Sequence, residues 1–275
     1  MPNKLLDLKN DLVFQELFGK QKNKNITAHF LSLILGREIQ NIDLDINKRM
    51  LGNRPDSKTG RLDIRAKFND GEDCNIELQI EPYPSMAERM LQYWSNMYSS
   101  KLDSGKEYYT LKPSISILIT NYKISKLLHI SNYHTTWNLR EQNYKDFILT
   151  KNIEMHILEI PKIKDDEILK DELIQWLRFI KNSDDKEVQK IMGENKYYKQ
   201  AREELAYLSG DPDFQRLLES RAGFLMDVEA FKHEANENGK TSTKLEIAKK
   251  MKQKNMPLDE IIELTGLTKE EIEKL

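Results

Sequence analysis

The sequence contains a single cysteine, Cys74, in 275 residues. No intramolecular disulfide can form, and so little cysteine fits a reducing cytoplasm. Cys74 lies in Asp73-Cys74-Asn75-Ile76, the start of an apolar strand pattern, and reads as core filler. Long apolar runs are also missing. Nothing approaches the ~18–20 apolar residues that cross a bilayer, and MPNKLLDLKNDLVF at the N-terminus has no run of signal-peptide length. No membrane association is therefore expected. Neither sign of charge is in excess: 43 Lys and Arg face 45 Asp and Glu, a net charge of −2. That balance excludes binding to nucleic acid by bulk charge but leaves room for a local basic groove.

What is present suffices for a core. Hydrophobic residues make up 39% and charged residues 32%, and aromatics are spread along the chain, which argues against disorder. The length allows one large domain or two small ones.

The pattern opens with helices. Phe14, Leu17 and Phe18 recur at helical spacing, and Ile26, Phe30, Leu33 and Ile34 form an apolar face that stops at Gly36. Alternation over Glu38 to Asn47 predicts a first strand, and Met50 to Gly60 a loop. Arg61 to Phe68 and Asp73 to Glu81 alternate again around Asn69-Asp70-Gly71, a hairpin. Ser85 and Glu88 have capping-box spacing before a helix predicted to reach about Leu102, with Met86, Met90 and Met97 on its inner side. Ser114 to Asn121, His134 to Arg140 and Glu154 to Ile160 read as further strands, and the chain from Asp165 onward as helical. The expected domains are 1–162, a helical region 163–240 and a small helical tail 241–275.

Loop length fixes the hairpin's chemistry. A two-residue loop would pair Asp63 with Leu78 and mix apolar with polar faces. A three-residue loop pairs Phe68 with Glu72 and Asp63 with Glu77, and gathers Leu62, Ile64, Ala66 and Phe68 with Ile76, Leu78 and Ile80. Such a loop wants a left-handed glycine at its last position, and Gly71 stands there. Directly opposed residues have Cβ atoms ~4.5–5.5 Å apart. Two carboxylates so placed repel unless a cation lies between them, and a hard divalent ion such as Mg²⁺ or Mn²⁺ suits the gap. Spacing alone also allows a plain charged, wet face, because repulsion across an exposed pair costs at most ~1 kcal/mol. Gln79 projects from the face that carries Glu77 and would sit opposite Arg61.

Several runs resemble one family. They are Asn10-Asp11-Leu12-Val13-Phe14-Gln15-Glu16-Leu17-Phe18, Leu62-Asp63-Ile64, Asn75-Ile76-Glu77-Leu78-Gln79, Glu88-Arg89-Met90-Leu91-Gln92-Tyr93-Trp94, Leu102-Asp103-Ser104-Gly105 and Tyr109-x-Leu111-x-Pro113. In this order they resemble the recombination-promoting nuclease / putative transposase (Rpn) family of PD-(D/E)XK nucleases over about residues 7–122. The tail from Ile247-Ala248-Lys249-Lys250-Met251 to Thr265-Gly266-Leu267-Thr268 is similar to that family's C-terminus. The resemblance implies an α/β, restriction-endonuclease-like fold: a mixed central sheet flanked by helices, here with an all-helical C-terminal region. It implies Mg²⁺-dependent cleavage of DNA phosphodiesters (Mn²⁺ as an alternative), with Asp63, Glu77 and the Leu78 carbonyl as metal ligands. It makes Gln79 catalytic in the place of the usual lysine, where it can orient a water or phosphate but brings no positive charge. Arg89 is then the candidate to clamp a phosphate, or else it forms a salt bridge to a nearby carboxylate. Asp11 and Glu16 could add a carboxylate, or be solvated helix charges. Gln15 stands where the family pattern has a lysine.

Other signals carry less. Gly239-Lys240-Thr241 mimics the end of a P-loop, but Glu234 stands where the upstream glycine is needed and no strand precedes it. His29, His129, His134, His156 and His233 have no zinc-ligand spacing and read as surface or packed histidines. The tail predicts helices at Thr243–Lys254, Leu258–Leu264 and Thr268–Leu275, close to a helix-turn-helix outline. Its last helix carries Glu270, Glu271 and Glu273, poorly suited to DNA phosphates. The first tail helix, rich in lysine, suits phosphate contact better, or serves simple solubility. The expectation is a cytoplasmic, metal-dependent DNA endonuclease tied to recombination or mobile elements, with homo-oligomers allowed. The alternatives are a non-catalytic DNA-binding or protein-interaction module on the same fold, and an RNA-directed or toxin-like nuclease.

Overall fold

Asn10 starts the first helix: its side chain accepts from the backbone N–H groups of Leu12 and Val13 at 3.0 and 3.4 Å. The computed structural model describes residues 4–46, 64–101, 107–164, 171–253 and 256–275. Helix α1 (Asp11–Gly19) buries Val13, Phe14, Leu17 and Phe18. Helix α2 (Lys24–Leu35) ends at Gly36 with φ 62°, the left-handed cap that its sequence predicts.

Strand β1 (Ile42–Ile46) is shorter than the alternation over 38–47 suggests. The backbone N–H of Ile39 donates to Ser32 Oγ at 2.9 Å, so this part of the chain is tied to α2 and not to a ladder. Strands β2 (Ile64–Phe68) and β3 (Asp73–Gln79) form the hairpin. Phe68 N–H donates to the Glu72 carbonyl at 2.9 Å and Gly71 N–H to the Phe68 carbonyl at 3.0 Å. Gly71 has φ 87°. The pairs run from Lys67↔Asp73 to Ile64↔Ile76, the register of the three-residue loop.

Helix α3 (Met86–Ser99) buries Met86, Met90 and Met97, as its spacing predicts. The capping box does not form. Ser85 makes no side-chain cap hydrogen bond, and Glu88 pairs instead with Lys126 at 2.8 Å. Strands β4 (Ser114–Thr120), β5 (His134–Arg140) and β6 (Ile148–Glu159) complete the sheet. The first half of β6 escapes the apolar pattern because it pairs only with β5 and stays largely open to solvent.

Among the described residues the six strands follow the order β1-β2-β3-β4-β6-β5. The β3/β4 and β4/β6 pairs are parallel and the others antiparallel. One sheet face carries Ile42, Ile64, Ala66, Phe68 and Ile76, all buried, with α1 against β1 and β2 and α2 against β1. Helices α4 (Glu172–Lys181), α5 (Lys186–Met192) and α6 (Lys196–Gly210) follow. Trp176 of α4 is fully buried among the rings of Phe18, Phe30, Phe179 and Tyr198.

The chain divides into two compact units, Met1–Gln215 and Arg216–Leu275. Helix α7 (Pro212–Gln253) is continuous, so no helix begins at Thr243. One glycine in a helix interior costs only ~1 kcal/mol, and Gly239 does not interrupt it. Helices α8 (Leu258–Thr265) and α9 (Lys269–Glu273) close the second unit around Ala248, Ile261, Leu267 and Ile272. The Thr268–Glu271 capping box is present, as is the left-handed Gly266. No described helix is long and apolar enough to cross a membrane.

Candidate active site

Strand β3 turns its two edges to different neighbours. Asp73 N–H donates to the Pro113 carbonyl and Asn121 N–H to the Gln79 carbonyl, at 3.2 and 3.1 Å. The odd-numbered backbone groups of β3 therefore face β4, and the even-numbered ones, as at Glu72, face β2. The Leu78 carbonyl points to the β2 side. Side chains alternate at right angles to this. Cys74 and Ile76 join the apolar face, and Cys74 is the core filler that its sequence suggested. Burial pushes its thiol far above the usual range. Asp73, Asn75, Glu77 and Gln79 share the opposite face, and all four are buried.

A row of buried polar side chains needs partners. Asp73 is ion-paired with Arg65 and lies 3.7 Å from Lys101 Nζ. Burial lowers the pKa of Lys101, and Asp73 works against that shift. Glu77, 3% exposed, meets α3. Its register partner Leu118 belongs to an apolar cluster with Met86, Met90, Leu127 and Ile157, so the carboxylate sits where apolar packing gives way to the polar row. Arg89 of α3 reaches it and forms an ion pair. Arg89 Nε also donates to Tyr93 Oη at 3.0 Å. Its guanidinium lies 5.3 Å from the Tyr83 ring centroid and 5.1 Å from that of Tyr93, within cation–π range.

Gln79 is 4% exposed. Its Nε2 donates to the Glu81 carbonyl at 2.7 Å, while the buried Oε1 has no hydrogen-bond partner among the described residues. A buried orphan of this kind costs about 1–3 kcal/mol and marks a place where a further donor or cation would be welcome. The oxygens of Glu77, Gln79 and the Leu78 carbonyl are hard donors that fit a divalent ion such as Mg²⁺. Among the described residues no group of three or more His, Cys, Asp or Glu side chains is arranged to hold a metal. Asp63, the other expected ligand, and Arg61 lie outside the described residues.

The remaining expected residues are placed as follows. Glu16 pairs with Lys20 at 2.9 Å along α1, and Asp11 Oδ1 accepts from Leu12 N–H at 2.9 Å. Gln92 is hydrogen-bonded to Asn96 at 3.1 Å on the exposed side of α3. Tyr83 has no motif spacing that marks it in the sequence. Its signal was an aromatic between Pro82 and Pro84, directly after a strand and before a helix. The histidines held one surprise: His134 and His156 are hydrogen-bonded at 2.9 Å across β5 and β6.

Two comparisons, with curated proteins and with solved structures, gave no match. A third, with family models, matches residues 8–235 to one described as PD-(D/E)XK nuclease family transposase. The match extends well beyond the runs around the hairpin, and the mixed sheet with flanking helices is the restriction-endonuclease-like fold. The chain belongs to the PD-(D/E)XK nuclease family transposases.

Proposed function

We propose that this protein is a metal-dependent DNA endonuclease acting in recombination or on mobile elements, with Asp63, Glu77 and Gln79 at its centre. The observation that carries this reading is the buried Glu77 carboxylate beside the unpartnered Gln79 Oε1. The orphan acceptor costs the fold stability, and the buried carboxylate needs its ion pair with Arg89 to be tolerated at all. Their presence on one sheet face supports the reading of a site there.

Asp63, Glu77 and the Leu78 carbonyl would hold Mg²⁺ or Mn²⁺. The described pairs have the three-residue-loop register on which the expected Asp63–Glu77 pairing is based. When bound, the cation supplies positive charge to the scissile phosphate and makes water more acidic. The chain's own groups do the rest. Gln79 orients the attacking water or a phosphate oxygen through its amide. Arg89 holds Glu77 in position and offers its guanidinium to a phosphate arriving there. Tyr83 and Tyr93 confine that guanidinium.

A second reading is a non-catalytic DNA-binding module on the same fold. It is favoured by Gln79 in the lysine position, which removes one charge from the site. Plasmid cleavage separates the two. Wild type should nick plasmid with Mg²⁺ and not with EDTA, and Asp63→Ala and Glu77→Ala should each lower the rate at least ~100-fold. Equal cleavage by all three proteins would defeat the site. No cleavage by folded wild type with either metal would favour the module.

A further inference from the structure

Tyr83 contributes to two places at once. It lies under the Arg89 guanidinium, and it lines a cavity of about 660 Å³. Met86, Met90, Leu118 and Ile157 line the same cavity, and all four are buried in the cluster beneath α3. Tyr122 and Trp137 add two more aromatic rings. Lys123 and Lys126 also line it, and both are exposed. The cavity is open: Tyr83 is 43%, Trp137 41% and Leu91 51% exposed.

The lining selects the occupant. Its volume is that of a small-molecule site, ~300–1,000 Å³. An apolar peptide would use the aliphatic floor but has no need of the lysines. A nucleobase uses both features, since its faces stack on tyrosine and tryptophan while its attached phosphates meet the lysines. The Lys126–Glu88 pair does not stand in the way, because both side chains are about 60% exposed and such pairs contribute little. Continuity with the Glu77 site fixes which base it is. The cavity and Arg89 share Tyr83, so a phosphate at Arg89 has its own or its neighbour's base within reach of the cavity. A base stacked and paired in a duplex cannot enter.

We infer that this cavity takes an unpaired nucleobase next to a phosphate that meets Arg89. The inference rests on the nuclease reading and gives it a substrate class: DNA with a single-stranded or unpaired position at the point of cleavage.

The test is binding in EDTA, where no cleavage occurs, followed by fluorescence anisotropy. Three labelled DNAs are compared: a fully paired duplex, the same duplex with one unpaired adenine, and that duplex with the unpaired position abasic. Wild type should bind the unpaired adenine about tenfold more tightly than the other two, the scale of one base stacking on an aromatic ring. Trp137→Ala and Leu91→Glu, on different elements and both half-exposed, should bind all three alike while melting as cooperatively as wild type. Equal binding of the three DNAs by wild type, or a preference retained in both variants, overturns the proposal. The nuclease reading fails separately: a preference for the unpaired base without cleavage in Mg²⁺ or Mn²⁺ keeps the cavity and loses the enzyme. Cleavage without the preference does the reverse.

Discussion

The guanidinium of Arg89 on α3 is ion-paired with the buried carboxylate of Glu77 on β3. Both charges have left bulk water, with side chains 12% and 4% exposed. Each therefore depends on the other, and a cation arriving at Glu77 competes with, or joins, the guanidinium. Arg89→Met should leave Glu77 buried without this partner and destabilise the protein by about 3–5 kcal/mol in EDTA. Mg²⁺ should recover part of that loss and raise the melting temperature more in the variant than in wild type. Thermal unfolding with and without Mg²⁺ decides it. Identical Mg²⁺ responses in the two proteins would mean that the cation does not reach Glu77.

Gln79 separates function from stability. Gln79→Leu loses the hydrogen bond to the Glu81 carbonyl and also removes the orphan Oε1. The two changes oppose each other, so stability should move by no more than about 1 kcal/mol. Cleavage should fall at least ~10-fold if the amide orients the reacting groups. Gln79→Lys restores the charge and should raise the rate above wild type. Plasmid cleavage beside urea unfolding reads both quantities. A Leu variant that cleaves like wild type would remove Gln79 from the site.

The hairpin was legible because its signals are local. Gly71 and the two alternating strands point to one register, and the structure has it. The methionine face of α3 was legible for the same reason. What escaped depends on tertiary partners. The start of β1 shifts because Ser32 takes the N–H of Ile39. The Ser85 capping box is absent while Glu88 is drawn to Lys126, which lies 38 positions further along the chain. The site divides likewise. The face shared by Glu77 and Gln79 follows from alternation, but the ion pair of Glu77 with Arg89 depends on how α3 crosses the sheet. The cavity beside Tyr83 has no sequence period at all, since α3, β4, β5, β6 and the segments 82–84 and 122–127 each bring part of its lining.

Gly71 tests how firmly that register is set. Its φ of 87° is one that side chains with a Cβ resist, and a Cβ here would come 3.2 Å from Lys112 Cγ. The lysine can swing away, so the cost is mainly in the backbone. Gly71→Ala should lose about 1–2 kcal/mol and Gly71→Asn less, because asparagine tolerates the left-handed region. Chemical denaturation at equilibrium measures both. The apolar face holds the register independently, so cleavage by the folded Ala variant should persist. Loss of cleavage without loss of stability would show that the turn shapes the site directly.

The last test lies on the other sheet face. His156 Nε2 lies 2.8 Å from Glu154 Oε1, and His156 Nδ1 lies 2.9 Å from His134 Nε2. With His156 donating to the carboxylate, its Nδ1 accepts from a neutral His134. Burial, and secondly His156, push the His134 pKa down from 6.5 to about 4. An unfolded chain therefore takes up this proton at a higher pH than the folded one. The stability that His134 contributes is complete above about pH 6.5 and is lost as pH falls towards 4. The ring is only half-buried, so solvent screening reduces the loss to about 1–2 kcal/mol. The hydrogen bond from His156 holds Glu154 below the usual carboxylate range, and its share is lost only at lower pH, below 4.5. Wild type should lose stability between about pH 6.5 and 4 in urea titrations, and His134→Gln should lose less. Parallel pH slopes for the two proteins would show that the proton taken up in this window goes elsewhere.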